Sequence, residues 1–211
     1  MTLRGKHVIV TAGPTHEAID PVRFIANRSS GRQGFAVAQA AVEAGASVTL
    51  IAGPVALPTP QGLRRTDVES AEQMADAVQR ALPADVAILV AAVADWRVEP
   101  SATKLKKGAG PPALEFLPTR DILAELAGSP QRPRLLVGFA AETDNVVEKA
   151  ARKRDAKKAD WIVANDVSGD VMGGTRNRVH LLTADGIEDW PDMPKEDVAR
   201  RLIERIAEEV E

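Results

Sequence analysis

Residues 86–95 read VAILVAAVAD, a run of apolar side chains bracketed by Asp85 and Asp95. A strand with one wet face alternates apolar and polar residues. This run does not alternate, so 86–93 is predicted as a strand covered on both faces, as central parallel strands are. The segments on either side fit the same architecture. His7–Thr11 is a β-branched run, and Gly34–Ala44 follows as a helix with Phe35, Ala38, Ala41 and Val42 on one face. Gly45 closes that helix, and Ser47–Ala52 is the next strand. Leu63–Val68 reads as a third, and Ser70 opens a helix in which Gln73 completes an S-x-x-Q capping box. Beyond the apolar run come a helix near Asp121–Leu126, a strand at Arg134–Phe139, a helix across Asn145–Lys158 and a strand at Trp161–Ala164. Repeated β-then-α order implies an α/β fold: a doubly wound, mainly parallel, Rossmann-like sheet with helices on both faces.

Two stretches interrupt the alternation. Gly13 to Gly31 reads as a long loop between the first strand and its helix, and residues about 98–112 (Glu99–Pro112 reads EPSATKLKKGAGPP) as a mobile flap. Past Asp166 the pattern changes: 168–177 is Gly-rich and polar, Arg178–Thr183 is predicted as a late antiparallel strand, and Lys195–Val210 as an amphipathic helix. With 211 residues and no internal repeat, the chain reads as a single domain over 1–211.

Composition narrows the chemistry. Hydrophobic residues at 45% and charged residues at 27% are ordinary for a globular chain and argue against disorder. The formal charge of −3 disfavours non-specific nucleic-acid binding. No apolar run approaches the roughly 20 residues of a membrane span, and no signal-peptide pattern is visible, so a cytoplasmic location is expected. With no Cys there is no thiolate nucleophile, disulfide or cysteine zinc site; with no Tyr, the Tyr-Lys pair of short-chain dehydrogenases is impossible. His7, His16 and His180 form no metal-spaced cluster, and no metal ligand is assigned. Lys, Arg, Asp, Glu, Asn, Ser and backbone dipoles remain, an inventory suited to phosphoryl or nucleotidyl transfer.

In doubly wound sheets ligands bind beyond the carboxyl ends of the strands. After the first strand there is no G-x-G-x-x-G, but Ser29-Ser30-Gly31 directly precedes a helix and can cradle a phosphate; either serine can equally be a simple N-cap. Arg23 and Asn27, four apart, would face one ligand if that segment were helical. Asp95 ends the apolar strand beside Ala91, placed for a ligand or for capping a loop. Lys104, Lys106 and Lys107 crowd the flap, where a polyphosphate would relieve their repulsion or solvent would screen it. Phe139 ends a later strand and can stack on a base or pack in the core. Lys149, Lys153 and Lys157 share a helix face, as a solvated stripe or half of a triphosphate cradle. A nucleotide-using enzyme, a non-catalytic nucleotide-binding module and a Rossmann-type oxidoreductase all stay open on these residues, the last disfavoured by the missing glycine fingerprint.

The strings TAGPT, DPVRFIANRSSG, GPVALPTP, AAVADW, KLKK, GFAAET and AND, in this order, closely resemble the phosphopantothenate–cysteine ligase family. The resemblance runs from about Lys6 to about the end of the chain. It implies ligation of 4′-phosphopantothenate to L-cysteine in coenzyme A synthesis, through an acyl-nucleotidylate made from a nucleoside triphosphate, usually CTP, with Mg²⁺ carried mainly on the triphosphate. It also implies a homodimer built through an extension at about 166–190, and in many bacteria a flavin-dependent decarboxylase half that nothing here resembles. Carried onto these residues, Asn27 would hold the acyl intermediate, Arg23 would serve its conversion to product, and Lys104 would neutralise charge during nucleotidyl transfer. Ala91, Asp95, Asp121, Ile122, Phe139, Lys153 and Lys157 would contact the nucleotide, with Ser29, Ser30 and Gly31 at its phosphates. The family commonly reads Asn-Pro-Asp-Ile where this chain has Thr119-Arg120-Asp121-Ile122.

Overall fold

The structure, a computed structural model, describes residues 2–108, 112–166 and 174–211. Eight strands form one sheet. In chain order they are β1 (His7–Ala12), β4 (Ser47–Ala52), β5 (Arg64–Asp67), β6 (Val86–Leu89), β9 (Leu135–Glu142), β10 (Trp161–Asp166), β11 (Arg176–Leu182) and β12 (Ile187–Pro194). The spatial order is β12-β11-β10-β9-β6-β1-β4-β5. All neighbours from β10 to β5 run parallel, and β11 and β12 are antiparallel additions at the other edge. From β1 the chain first winds outward to β4 and β5, then crosses back to β6 and winds the opposite way. The reversal lies between β1 and β6, and a crevice opens there beyond their carboxyl ends.

Alternation along β1 divides the core. Val8, Val10 and Ala12 pack with helices α1 (Arg32–Glu43) and α5 (Lys195–Val210) on one face. Ile9, with Ile51 and Ala87, packs on the other face with α2 (Ala71–Arg80), α3 (Ile122–Ala127) and α4 (Val146–Lys157). Both faces of the central strands are thus covered, which is why 86–89 lacks alternation. The capping box at α2 forms with a shift: Ser70 Oγ accepts from Gln73 N–H at 3.2 Å, while Gln73 Oε1 accepts from the N–H of Glu69 rather than of Ser70.

Several expectations need correction. The stretch 13–31 is not a plain loop, because it contains the hairpin β2 (His16–Asp20) and β3 (Arg23–Ala26). Arg23 therefore lies on a strand, and the helical turn expected to bring it alongside Asn27 does not exist. The central strand ends at Leu89, not Val93, and the apolar residues after it wall the crevice. Arg178–Leu182 lies within β11, whose two edges are taken by β10 and β12, so this late antiparallel strand extends the sheet and has no free edge of its own. Two short strands, β7 (Trp96–Arg97) and β8 (Leu117–Pro118), pair at the base of the flap. Of the flap, residues 109–111 lie outside the described residues, as does 167–173 of the proposed extension. Among the described residues no helix is long and apolar enough to cross a membrane.

Candidate active site

The crevice between β1 and β6 widens into a cavity of about 870 Å³. Its walls hold Asn27, Ser29, Ser30, Gly31, Ala91, Asp95, Asp121, Ile122, Phe139, Lys153 and Lys157, residues drawn from the segments after β3 and β6, the start of α3, strand β9 and helix α4. Arg23 and Lys104 are not among its lining residues. Six basic side chains (Arg28, Arg32, Arg120, Lys153, Lys157, Lys195) and three acidic ones (Asp95, Asp121, Glu142) face it. These lining residues carry a formal excess of three positive charges in a chain of net charge −3, a local field that favours an anion.

One wall is the start of α1. Neither Ser29 nor Ser30 is its N-cap. Gly31 holds that position at φ 74°, without a side-chain capping bond, and Ser29 Oγ instead accepts from the Gly31 N–H at 3.3 Å. The left-handed backbone suits glycine, and Val55 Cγ1 would lie 3.1 Å from any Cβ there. No acidic residue stands in the first turn of α1. The amides and positive dipole end of this helix are thus offered to an anion rather than to its own serines.

The facing wall is the segment after β6, fixed to the exit of β1 by a chain of hydrogen bonds. Val90 N–H donates to Thr11 O (3.2 Å), Ala91 N–H to Thr11 Oγ1 (3.2 Å), Ala92 N–H to Gly13 O (2.9 Å) and Ala94 N–H to Thr15 Oγ1 (3.0 Å). Asn27 Nδ2 donates to Val93 O at 2.8 Å and so bridges the two walls. Asp95 is exposed, with its carbonyl accepting from Thr119 N–H at 3.1 Å.

The lysine stripe of α4 splits. Lys149 turns away to Asp144 (2.5 Å) and Glu142 (3.6 Å). Lys153 donates to Phe139 O at 2.7 Å, and Lys157 pairs with Asp121, the N-cap of α3. Burial presses the Lys153 ammonium below its ordinary range, with Lys157 adding repulsion and Glu142, Asp121 and Asp95 opposing. Burial would raise Asp121, but Lys157, the Ala124 N–H and Lys153 outweigh it and hold the carboxyl below the usual carboxylate range. Arg120, which stands where the family commonly has proline, is held by Glu125, Asp76 and Glu72 and braces the 119–121 loop against α2 and α3.

Sequence reasoning missed part of the far wall. Lys195, only 6% exposed, donates to Gly174 O at 2.6 Å. Burial, and next the Arg32 guanidinium, lower its pKa, against Glu196. The available signal was its position: a lysine at the first residue of a long helix opposes the macrodipole and asks for an anion. Asn177 is also buried in this wall, and its Oδ1 has no hydrogen-bond partner among the described residues. No sequence pattern marks that residue.

Comparison with known proteins identifies the family. The family description "DNA/pantothenate metabolism flavoprotein C-terminal domain" matches residues 3–210. The chain belongs to this family. A relative from Bacillus subtilis (strain 168), "Coenzyme A biosynthesis bifunctional protein CoaBC", is 46% identical over 211 residues, which span 97% of this chain and 52% of the relative. The chain therefore spans about half the length of the curated relatives it matches. A crystal structure of the C-terminal domain of a CoaBC protein is 41% identical with TM-score 0.82, and the match covers 96% of this chain and 94% of that one. A Cab2 variant in complex with phosphopantothenate-cysteine shares the fold at 17% identity and TM-score 0.78, with 96% of this chain and 86% of that one covered. The mainly parallel sheet, the late antiparallel edge and the helices on both faces are features of this family's fold.

Proposed function

We propose that this chain is the phosphopantothenate–cysteine ligase unit of coenzyme A biosynthesis, drawing its activating energy from CTP. The positively charged cavity at the sheet's reversal point is the observation that carries the reading, and the coenzyme A role in the relatives' names supports it. In the first step a carboxylate oxygen of phosphopantothenate attacks the α-phosphorus, the bond to the β-phosphate breaks, and pyrophosphate leaves. In the second, the cysteine amine attacks the acyl carbon, an amide forms, and CMP departs with release of a proton. Neither step needs a protein nucleophile, only placed charges and donors. The first turn of α1 would take the phosphates, Lys153 and Lys157 would balance their charge, and Asp121, Ile122, Ala91 and Asp95 would border the base and sugar beside Phe139. Asn27, reaching between the walls, would donate to the acyl intermediate, with Arg23 and Lys104 entering from the hairpin and flap.

Mg²⁺ would accompany the triphosphate. Among the described residues no three His, Cys, Asp or Glu side chains converge, and Asp121 is already paired with Lys157, which fits an ion carried on phosphate oxygens and water. It would neutralise charge on the leaving pyrophosphate. Incubation with CTP, Mg²⁺ and phosphopantothenate, without cysteine, should release pyrophosphate, and adding cysteine should then release CMP. Absence of pyrophosphate with every nucleoside triphosphate would refute the ligase, and equal turnover with ATP at low concentrations of each would refute the CTP preference.

The reading extends to partners. A flavin-dependent decarboxylase half would accompany this unit, as the bifunctional names of the relatives suggest. A homodimer would form in the cytoplasm; with both edges of β11 occupied, β12 supplies the outer edge of the late extension. Light scattering at micromolar concentration should give twice the 22.5 kDa chain mass. A fully active monomer would overturn the dimer.

A further inference from the structure

The turn of the β2–β3 hairpin contains a carboxylate with no part in the scheme above. The Asp20 side chain is fully buried and accepts five hydrogen bonds. Oδ1 takes the N–H groups of Val22 (2.9 Å) and Arg23 (3.0 Å), closing the turn. Oδ2 takes Arg23 Nε (3.1 Å), Arg23 Nη2 (2.5 Å) and the N–H of Leu105 (3.1 Å). Arg23 Nη2 also donates to Leu105 O at 2.9 Å. Leu105 is thus gripped at both backbone groups, by the carboxylate and by the guanidinium that the carboxylate orients. Four residues earlier, Ser101 N–H donates to Ile19 O at 2.9 Å, a second attachment of the flap to the same hairpin. Leu105 lies between Lys104 and Lys106, so the clasp fixes the base of the flap's lysines.

We propose that Asp20 is a positioning residue that sets Arg23 and Lys104 together by clasping the flap, an inference that rests on the ligase reading. Only an ionised carboxylate suits the place, because all five partners are donors and a carboxylate is acceptor-only. The Arg23 guanidinium holds the Asp20 carboxyl well below the usual carboxylate range, aided by the Val22 and Leu105 amides and opposed by burial. An asparagine has the same shape but must turn an NH₂ toward one group of donors. In one orientation it opposes Arg23 and Leu105, in the other the turn amides. Either way the clasp opens or the turn does.

Three variants and three readouts test this. Asp20→Asn removes the charge; Leu105→Pro removes one donor and leaves the Asp20–Arg23 pair intact. Tryptic cleavage after Lys106 and Lys107 in the intact protein reads flap release, since cleavage tracks the population of the open form. Both variants should be cleaved about tenfold faster or more, as expected for loss of hydrogen bonds to a charged group. Both should release pyrophosphate at least about tenfold more slowly while nucleotide affinity stays within about twofold, and Asp20→Glu should recover part of the rate. Unchanged cleavage in both variants refutes the clasp. Faster cleavage with unchanged turnover refutes its role in the reaction. Should Asp20→Asn fail to fold, Leu105→Pro decides on the same criteria. A parent protein that releases no pyrophosphate would refute the ligase reading, while the cleavage arm would still judge the clasp.

Discussion

Lys104→Gln is expected to slow pyrophosphate release by about two orders of magnitude while leaving nucleotide affinity nearly unchanged. The asymmetry follows from where the lysines stand. Lys153 and Lys157 face the cavity and, on the proposed reading, would meet the triphosphate as it binds, whereas Lys104 is exposed on the flap and does not line the wall. A charge that engages only as the α-phosphorus is attacked lowers the barrier without tightening the ground state. One such charge is commonly worth roughly 3 kcal/mol, hence the factor of about a hundred. Asn27→Asp should behave differently. Asn27 already spans the two walls through Val93 O. A carboxylate there would repel the carboxylate of the substrate, so capture of the acyl-nucleotidylate should suffer more than nucleotide affinity. Rapid-quench measurement of pyrophosphate and of bound intermediate separates the two variants. If Lys104→Gln releases pyrophosphate at the parent rate, Lys104 is a solvated loop residue.

The parallel half of the sheet was legible because its strands are buried on both faces, and continuous apolar runs such as Val86–Ala94 record that burial directly. The same run misled at its end. Val90 to Ala94 are apolar because they form the cavity wall against the exit of β1, not because they extend β6. The β2–β3 hairpin was illegible for the opposite reason. Its strands stand off the main sheet, and Phe24 is 52% exposed while stacking on His16 at 3.8 Å, so no apolar alternation reports the pairing. In β12 the residues IEDWPDMP carry two prolines and three acids around a single buried Trp190, a pattern an edge strand tolerates and a pattern search rejects. The site divides in the same way. Strand-end loops followed from topology alone. Lys195 and Asn177 reach the cavity from distant parts of the chain, through contacts such as Gln33 Nε2 donating to Lys195 O at 3.2 Å. Asp20 closes the hairpin turn with one oxygen; that its second oxygen holds Leu105 of the flap, 85 residues away in sequence, is a long-range contact that no local pattern reports.

Gly53→Ala should be among the most destabilising single-methyl additions available to this chain. Gly53 follows β4 directly, and its N–H donates to Ala12 O at 2.9 Å. A Cβ there would lie 1.7 Å from Pro14 O and 2.9 Å from Pro14 C, an overlap with backbone that no rotamer change relieves. Nor can the Pro14 segment simply withdraw. It bridges to Ala92, Ala92 N–H donates to Gly13 O at 2.9 Å, and His16 N–H is tied to Glu69 O at 2.8 Å. Overpacking a core side chain typically costs about 1–3 kcal/mol, and backbone overlap should reach or exceed the upper end. For a chain of this size about 3 kcal/mol corresponds to a fall in Tm of roughly 6–12 °C. Because Gly13 and Ala92 line the cavity, the forced shift should also weaken nucleotide binding, unlike Lys104→Gln. Gly108→Ala is the matched control, since a Cβ there meets nothing within 4 Å. Thermal melts of both variants with and without CTP measure the two effects together. If Gly53→Ala melts within about 2 °C of Gly108→Ala, less than about 1 kcal/mol separates them, and the crossing of the β1 and β4 exits yields readily and is no fixed support of the cavity.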